Sequence, residues 1–450
     1  MCFLSFNLDQ RNWDFEEGQN TFRAGKIREN LEFWEHDLKA PPFVLSTIKH
    51  GYFLPFNEYP PPSEEKNNKS SLRNAKFVED SIRQLLSSGC IEEVWKKPHC
   101  INPLTVAEGK KLRLVLDLRN VNKYLNVTKF KYENLRAVAD ILEENDFFVT
   151  FDLKNGYHHI PIAKDHQTYL GFAWEFTQGN QKVIRYFIFL VLAFGLATAC
   201  YAFTKIMRPL IKKWRGEGKK SSMYLDDGIL AAENFARTKT IAIEAQDDIA
   251  RAGLTINKAK SMLTPSQHGI YLGFIIDTLK MEFLVPPEKI AFLKEQILDF
   301  TSHKFATPKD LSRIAGRLIS MSPAIGPLTR LFTRQMYKFI EGRTSWFQQK
   351  LVPDSVRQEL TFWTRNLDDE NGHTMKSNPT ISKIIYSDAS DTGYGGYILQ
   401  KLGNTVAQGR FRPRNKTPVP HIANSWPSCT CYKASIACWK TRQFNGTPTI

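Results

Sequence analysis

Two stretches of this 450-residue chain place carboxylates where apolar runs end. In SSMYLDDGILAAEN, from Ser221 to Asn234, Asp226 and Asp227 stand side by side between two apolar runs, and in FFVTFDLKNGYHHIPI an earlier run closes on Asp152. Carboxylates meeting at the rim of one sheet are what a pair of divalent ions ~4 Å apart requires, because two cations in one site need several anionic oxygens. Mg²⁺ suits such a set, since it takes oxygen ligands and leaves room for phosphates. The plainer reading of the Asp-Asp-Gly stretch is a solvated hairpin turn between strands Met223–Leu225 and Ile229–Ala232. Successive strand side chains point to opposite faces, so Asp226 and Asp227 can share a metal only if the turn reorients one of them. Asp152 with Asp226 is the expected pair, and Asp227 the helper.

The elements that must position these residues are legible as periodic segments. LRLVLDL, FFVTFDL and HGIYLGFII read as strands, and FVEDSIRQLLSSG, apolar at positions 78, 82, 85 and 86, reads as a helix stopped near Gly89. Tyr186–Phe203 is 18 residues without a charge, at the threshold for a membrane span. Its first half is aromatic and β-branched, Gly195 interrupts it, and helical spacing follows, so strand, turn, helix is expected instead. Residues 1–74 are expected to form an N-terminal extension whose stretch PFNEYPPPSEEKNNKSS is an exposed linker, with a boundary near Ser70. Residues 75–275 carry the strands and carboxylates. Beyond Pro286-Pro287 the pattern is helical through about residue 370, and Thr307-Pro308-Lys309-Asp310 is a helix start with Thr307 as N-cap. KIIYSDAS and GYGGYILQ then announce a small lobe over 380–450. No internal repeat is visible.

Composition bounds the partners. With 61 Lys and Arg against 46 Asp and Glu the chain carries +15, which suits a polyanion. Its 42% hydrophobic and 24% charged residues are globular values. The seven cysteines are scattered and odd in number, which argues against a disulfide framework and for a reducing compartment. MCFLSFNLDQRNWD has too short an apolar run and no basic lead-in for a signal peptide, so a cytoplasmic or nuclear protein with no membrane partner is expected.

LRLVLDLRNVNKYL, FDLKNGYHHIPI, LAFGLATACYAFTK, MYLDDGIL, AGLTINKAKS and IYLGFII occur in the order of the successive motifs of retroelement reverse transcriptases. The wording of these blocks, with the upstream GYFLPFNEYPPP, resembles the RNase H-bearing retrotransposons of the DIRS-like or Ty3-like kind. The resemblance covers about residues 75–275 and implies an α+β, right-hand polymerase fold of fingers, palm and thumb, with the thumb or connection over 276–370. It implies an RNA-directed DNA polymerase that uses two Mg²⁺ or Mn²⁺ ions per site, an RNA template, a DNA primer-template duplex, dNTPs, and other element-encoded proteins as partners. Carried over residue by residue, it makes Asp152, Asp226 and Asp227 the metal carboxylates. Arg113 matches a residue that contacts the incoming triphosphate, and Lys260 falls in the basic block of a later palm motif. Tyr157 matches the aromatic gate that excludes a ribose 2′-OH, Phe194-Gly195 the segment packed on nucleotide and template, and Tyr271-Leu272-Gly273 the primer grip. Lys110, Lys111, Arg113 and Arg119 flank a strand rim where cations could neutralise phosphate charge. Asp117, Arg119 and Asn122 match the early fingers motif, for which a structural hydrogen-bond network is as good a reading as substrate contact. His158 and His159, expected on a strand facing opposite ways, make a poor metal pair and are read as structural.

In IIYSDASDTGYGGYIL, Asp388 resembles the first-strand acid of a retroelement RNase H domain. Two-metal cleavage needs further carboxylates, and SCTCYKASIACW carries Lys433 where the related pattern has a Glu; Asp391 is read as a turn residue. The expectation is a partial, truncated RNase H-like α/β lobe without nuclease activity. The rival to an active polymerase is a catalytically silent nucleic-acid-binding remnant.

Overall fold

The computed structural model describes residues 22–109, 111–178, 181–376, 384–389, 393–399 and 405–410. The N-terminal MCFLSFNLDQRNWD, Lys110, Asp391, Lys433 and the cysteines at 2, 429, 431 and 438 lie outside them. The chain divides into two compact units, Met1–Lys376 and Ser377–Ile450.

The palm sheet of the first unit has the order Met262–Ser266, Phe147–Asp152, Asp227–Ala232, Lys220–Tyr224, all antiparallel. Every residue from Phe148 to Asp152 is buried, which is why FFVTFD reads as an unbroken apolar strand rather than an alternating one. Helices Ala199–Gly216 and Phe235–Arg251 cover this sheet. The charge-free segment thus resolves into strand Gln181–Phe189, a loop, and a helix that starts at Ala199. Among the described residues no helix is long and apolar enough to cross a membrane.

A second sheet, Ser63–Glu64, Cys100–Ile101, Gly171–Gln178, Gln181–Phe189 and Ile91–Val94, lies on the fingers side. It corrects the reading of the proline-rich stretch as an exposed linker: Ser63–Glu64 pair in parallel with Cys100–Ile101, and Ser71 is fully buried with its hydroxyl donating to the Leu104 carbonyl. Backbone pairing wins here because polar side chains leave main-chain groups free to complete an edge. The preceding residues also join the core. Ile27, Phe33 and Trp34 pack in the same apolar cluster as the palm's Val149 and Phe151, and the Trp34 indole donates to the Ala252 carbonyl at 3.0 Å.

HGIYLGFII is a hairpin rather than one strand, His268–Tyr271 turning through Leu272 and Gly273 into Phe274–Asp277. Leu272 and Gly273 have φ of 48° and 77°, a left-handed pair of the kind that closes tight hairpins. Helices Pro287–Ser302, Pro308–Ser320, Arg334–Glu341 and Asp354–Asn366 follow and share a second apolar cluster with Phe148 and Tyr271. Thr307 caps its helix, its hydroxyl accepting from the Asp310 N–H at 3.2 Å. The second unit shows an antiparallel meander, Ile384–Ala389, Gly393–Leu399 and Thr405–Arg410.

Candidate active site

The carboxylate hairpin does not turn at Asp227-Gly228, as an Asp-Gly signal suggests. Its strands are Lys220–Tyr224 and Asp227–Ala232, so the two turn residues are Leu225 and Asp226, with Leu225 at φ 55°. Asp227 is thereby a strand residue, directly opposite Asp152 across the antiparallel pair, and partners in such a pair share one face. Asp152 and Asp227 are register partners, and Asp226 stands in the turn that joins the two strands of the hairpin. The Asp226 side chain lies beside Gly156, where an added Cβ would stand 3.4 Å from the Asp226 Cβ. Gly228 is required for a different reason. A Cβ there would fall 2.1 Å from the end of the Phe151 ring.

The three carboxylates feel one another. Burial first, then Asp226 and Asp152, push Asp227 up to about 6. Burial raises Asp226 as well, with Asp152 adding to it. Lys260 supplies the local counter-charge, its Nζ 3.4 Å from Asp152 Oδ2. Among the described residues no three His, Cys, Asp or Glu side chains already stand in a metal-holding arrangement. The donor set fits hard divalent cations: three carboxylates, no sulfur or imidazole, on a rim partly open to phosphates.

Asp152, Asp227, Tyr224, Lys260, Tyr271, Leu272 and Gly273 line one cleft of about 520 Å³. Tyr271, 4% exposed, donates its hydroxyl to the Asp227 carbonyl at 3.0 Å, tying the second hairpin to the first. Asp152 is held through its backbone, its N–H donating to Ser261 Oγ at 3.0 Å and its carbonyl accepting from the Asn257 N–H at 2.8 Å. Neither Tyr271's hydroxyl bond nor Ser261 was singled out from the sequence, although both residues lie inside quoted blocks.

On the fingers side, Arg113 is exposed at the start of strand Arg113–Leu116. That strand receives the Phe194-Gly195 segment: the Leu116 N–H donates to the Phe194 carbonyl at 3.2 Å, and a Cβ on Gly195 would fall 2.0 Å from the Leu116 oxygen. Asn122 clamps the same loop, donating to the Gly195 carbonyl and accepting from the Ala197 N–H, each at 2.9 Å. Asp117 takes a two-pronged contact from Arg119 at 2.9 and 2.7 Å, and that guanidinium holds its carboxyl below the usual range. For Asp117 and Asn122 the hydrogen-bond network is therefore what the structure displays. Tyr157 is half-buried between Phe194 and Phe203, with ring centroids 5.2 and 5.6 Å away. His158 and His159 sit in a 3₁₀ turn, Gly156–His159, not on a strand. Burial lowers both to about 4, so they stay neutral, as packing histidines do. Asp388 belongs to the second unit, opposite Gly395.

A four-stranded antiparallel palm backed by helices, a carboxylate hairpin at its rim and a second hairpin tied to it make up the right-hand polymerase fold. The family is more particular. Residues 96–276 match the reverse transcriptase (RNA-dependent DNA polymerase) family. It is 25% identical over 378 residues, 83% of its length, to the Transposon Tf2-3 polyprotein of Schizosaccharomyces pombe, and 24% identical over the same span to the Tf2-7 polyprotein. It spans about a quarter of the length of these curated relatives. Its fold resembles the foamy viral protease-reverse transcriptase solved with an RNA/DNA hybrid, with a TM-score of 0.61 at 20% identity, covering 86% of this chain and 49% of that one. The same viral protein with dsDNA gives 0.60 at 20% identity, over 86% and 76%.

Proposed function

We propose that this chain is an RNA-directed DNA polymerase that adds dNTPs to a primer 3′-OH on an RNA or DNA template. The observation that carries the reading is the convergence of Asp152 and Asp227 in register, Asp226 in the turn beside them, and Lys260 on the rim of one cleft. Two Mg²⁺ or Mn²⁺ ions bound by these carboxylates would supply Lewis-acid stabilisation of the hydroxyl and phosphate oxygens. The chain's own residues do the rest. Arg113, exposed on the fingers hairpin, meets the triphosphate, and Phe194-Gly195, docked on the same strand, backs the base. Tyr157 stands against the sugar. Tyr271-Leu272-Gly273 seats the primer end and, through the Tyr271 hydroxyl, holds the main chain of Asp227 in place. The relatives are transposon polyproteins, and the viral neighbour was solved with an RNA/DNA hybrid and with dsDNA, which supports the same duplex partners here. The second unit, with Asp388 on its first strand, is read as a partial RNase H-like lobe.

Primer extension tests the assignment. The protein should extend a DNA primer on an RNA template with Mg²⁺ or Mn²⁺, and Asp152→Asn, Asp226→Asn or Asp227→Asn should each slow it at least about a thousandfold, because metal stabilisation of phosphoryl transfer is worth several kcal/mol. Full extension by Asp226→Asn would overturn the site, and a wild-type protein that binds duplex but extends nothing would make it a silent binding remnant.

A further inference from the structure

Cys200 opens the helix Ala199–Gly216 on the side that faces the Tyr157 ring. Its Sγ lies 2.9 Å from the Tyr157 hydroxyl. The contact ties the proposed sugar gate to the first turn of a helix that packs against strand Lys220–Tyr224.

We propose that Cys200 is a positioning residue for sugar discrimination: its sulfur fixes the Tyr157 ring at the height that leaves no room for a ribose 2′-OH. The inference rests on the polymerase reading above. Phe194 and Phe203 flank the Tyr157 ring and restrict its tilt, but neither offers a polar atom to its hydroxyl, so movement along the ring's long axis is opposed by the sulfur contact. Sulfur is a weak acceptor, yet a phenol half-withdrawn from water that loses its partner must shift towards solvent to recover one. Excluding a hydroxyl by shape depends on such sub-ångström placement, because a pocket that makes no bond to the group discriminates only by the space it withholds.

Single-nucleotide incorporation by the full chain, comparing kcat/KM for a dNTP and its rNTP, tests the idea. Cys200→Val keeps size and removes the acceptor. It should lower the dNTP-to-rNTP ratio roughly three- to tenfold, the factor set by one ordinary hydrogen bond, while kcat/KM for the dNTP changes little. Cys200→Ser, which restores a polar partner, should return the ratio to within about twofold of wild type by the same reasoning. In a Tyr157→Phe background, Cys200→Val should add nothing. An unchanged ratio in Cys200→Val, or a Cys200→Ser protein that behaves like Cys200→Val, would overturn the proposal. Urea unfolding of wild type, Cys200→Val, Tyr157→Phe and the double variant reads the Tyr157–Cys200 pair without catalysis. Non-additive midpoints with no nucleotide incorporation by wild type would reject the polymerase reading and the gate with it, and additive midpoints would reject the contact itself.

Discussion

His159 is 1% exposed, and only one of its ring nitrogens has a partner: Nε2 meets the Lys154 carbonyl at 2.9 Å, while the buried Nδ1 has none. Protonation would place a charge at Nδ1 with no acceptor, which is why burial lowers the group to about 4. Between that value and the unfolded value of about 6.5, the unfolded chain binds more protons than the folded one. Stability should therefore be fully present above about pH 6.5 and be lost as pH falls towards 4, and His159→Gln should flatten the dependence by up to about 1.4 kcal/mol per pH unit. Urea unfolding at pH 7 and pH 5 measures it, and an identical slope in the variant would refute the assignment. At this scale the sequence was most informative where chemistry is packed into a few adjacent residues. Asp152, Asp226 and Asp227 stood out because each ends an apolar run. The Tyr271 hydroxyl on Asp227, 44 residues away, and the Tyr157–Cys200 contact, 43 residues apart, have no local signature, since only the folded sheet brings those partners together.

Elements were legible to the degree that a side-chain period or a cap betrays them. The buried strand Phe147–Asp152 and the capped helix Pro308–Ser320 stand where their patterns put them. The carboxylate hairpin was misplaced by two residues because Asp-Gly ordinarily marks a turn, whereas here the glycine answers to packing: Phe151 crosses Gly228 on the neighbouring strand, edge-on to Trp214 at 6.0 Å. That argument yields a test. Gly228→Ala sets a Cβ against a ring that is 4% exposed and held by Trp214, so overpacking should cost about 1–3 kcal/mol of unfolding free energy. Gly228→Ala with Phe151→Leu should recover part of that loss. If glycine at 228 instead serves a turn, the second change would only deepen the damage, and the urea midpoints of the two variants would show it. Histidines 158 and 159 were placed on a strand for a similar reason: the short 3₁₀ turn Gly156–His159 is too brief to leave a period.

At the scale of the whole molecule, charge and the separate second unit carry the remaining expectations. Asp388 lies on a strand of that unit opposite Gly395, and a single first-strand acid cannot balance two cations. The chain should not cleave a labelled RNA–DNA hybrid in Mn²⁺; products that vanish in Asp388→Asn but persist in Asp226→Asn would contradict this. With a net charge of +15, Lys289, Lys294, Arg313 and Arg317 of the helical segment are the basic residues to weigh against a duplex backbone. The structure sorts these four. Lys294 is ion-paired with Asp368, and Arg317 is half-buried over the Phe292 ring at 5.2 Å, so both already have intramolecular work. Lys289, exposed above the Leu272-Gly273 turn with its Nζ 2.6 Å from the Gly273 carbonyl, and Arg313, exposed and paired with Asp310 at 3.2 Å, are the two a phosphate could recruit, because an exposed pair is worth little against a polyanion. Each phosphate neutralised releases counterions and adds about 0.9 to the slope of log K against log[salt]. Duplex binding should accordingly weaken steeply between low and physiological salt. Lys289→Ala with Arg313→Ala should lower the slope by about 2, and Arg317→Ala should leave it unchanged. Fluorescence anisotropy with a labelled duplex across a salt series gives the slopes directly. A flat dependence, or a loss of slope in Arg317→Ala equal to that in the double variant, would mean that the backbone is held by another surface.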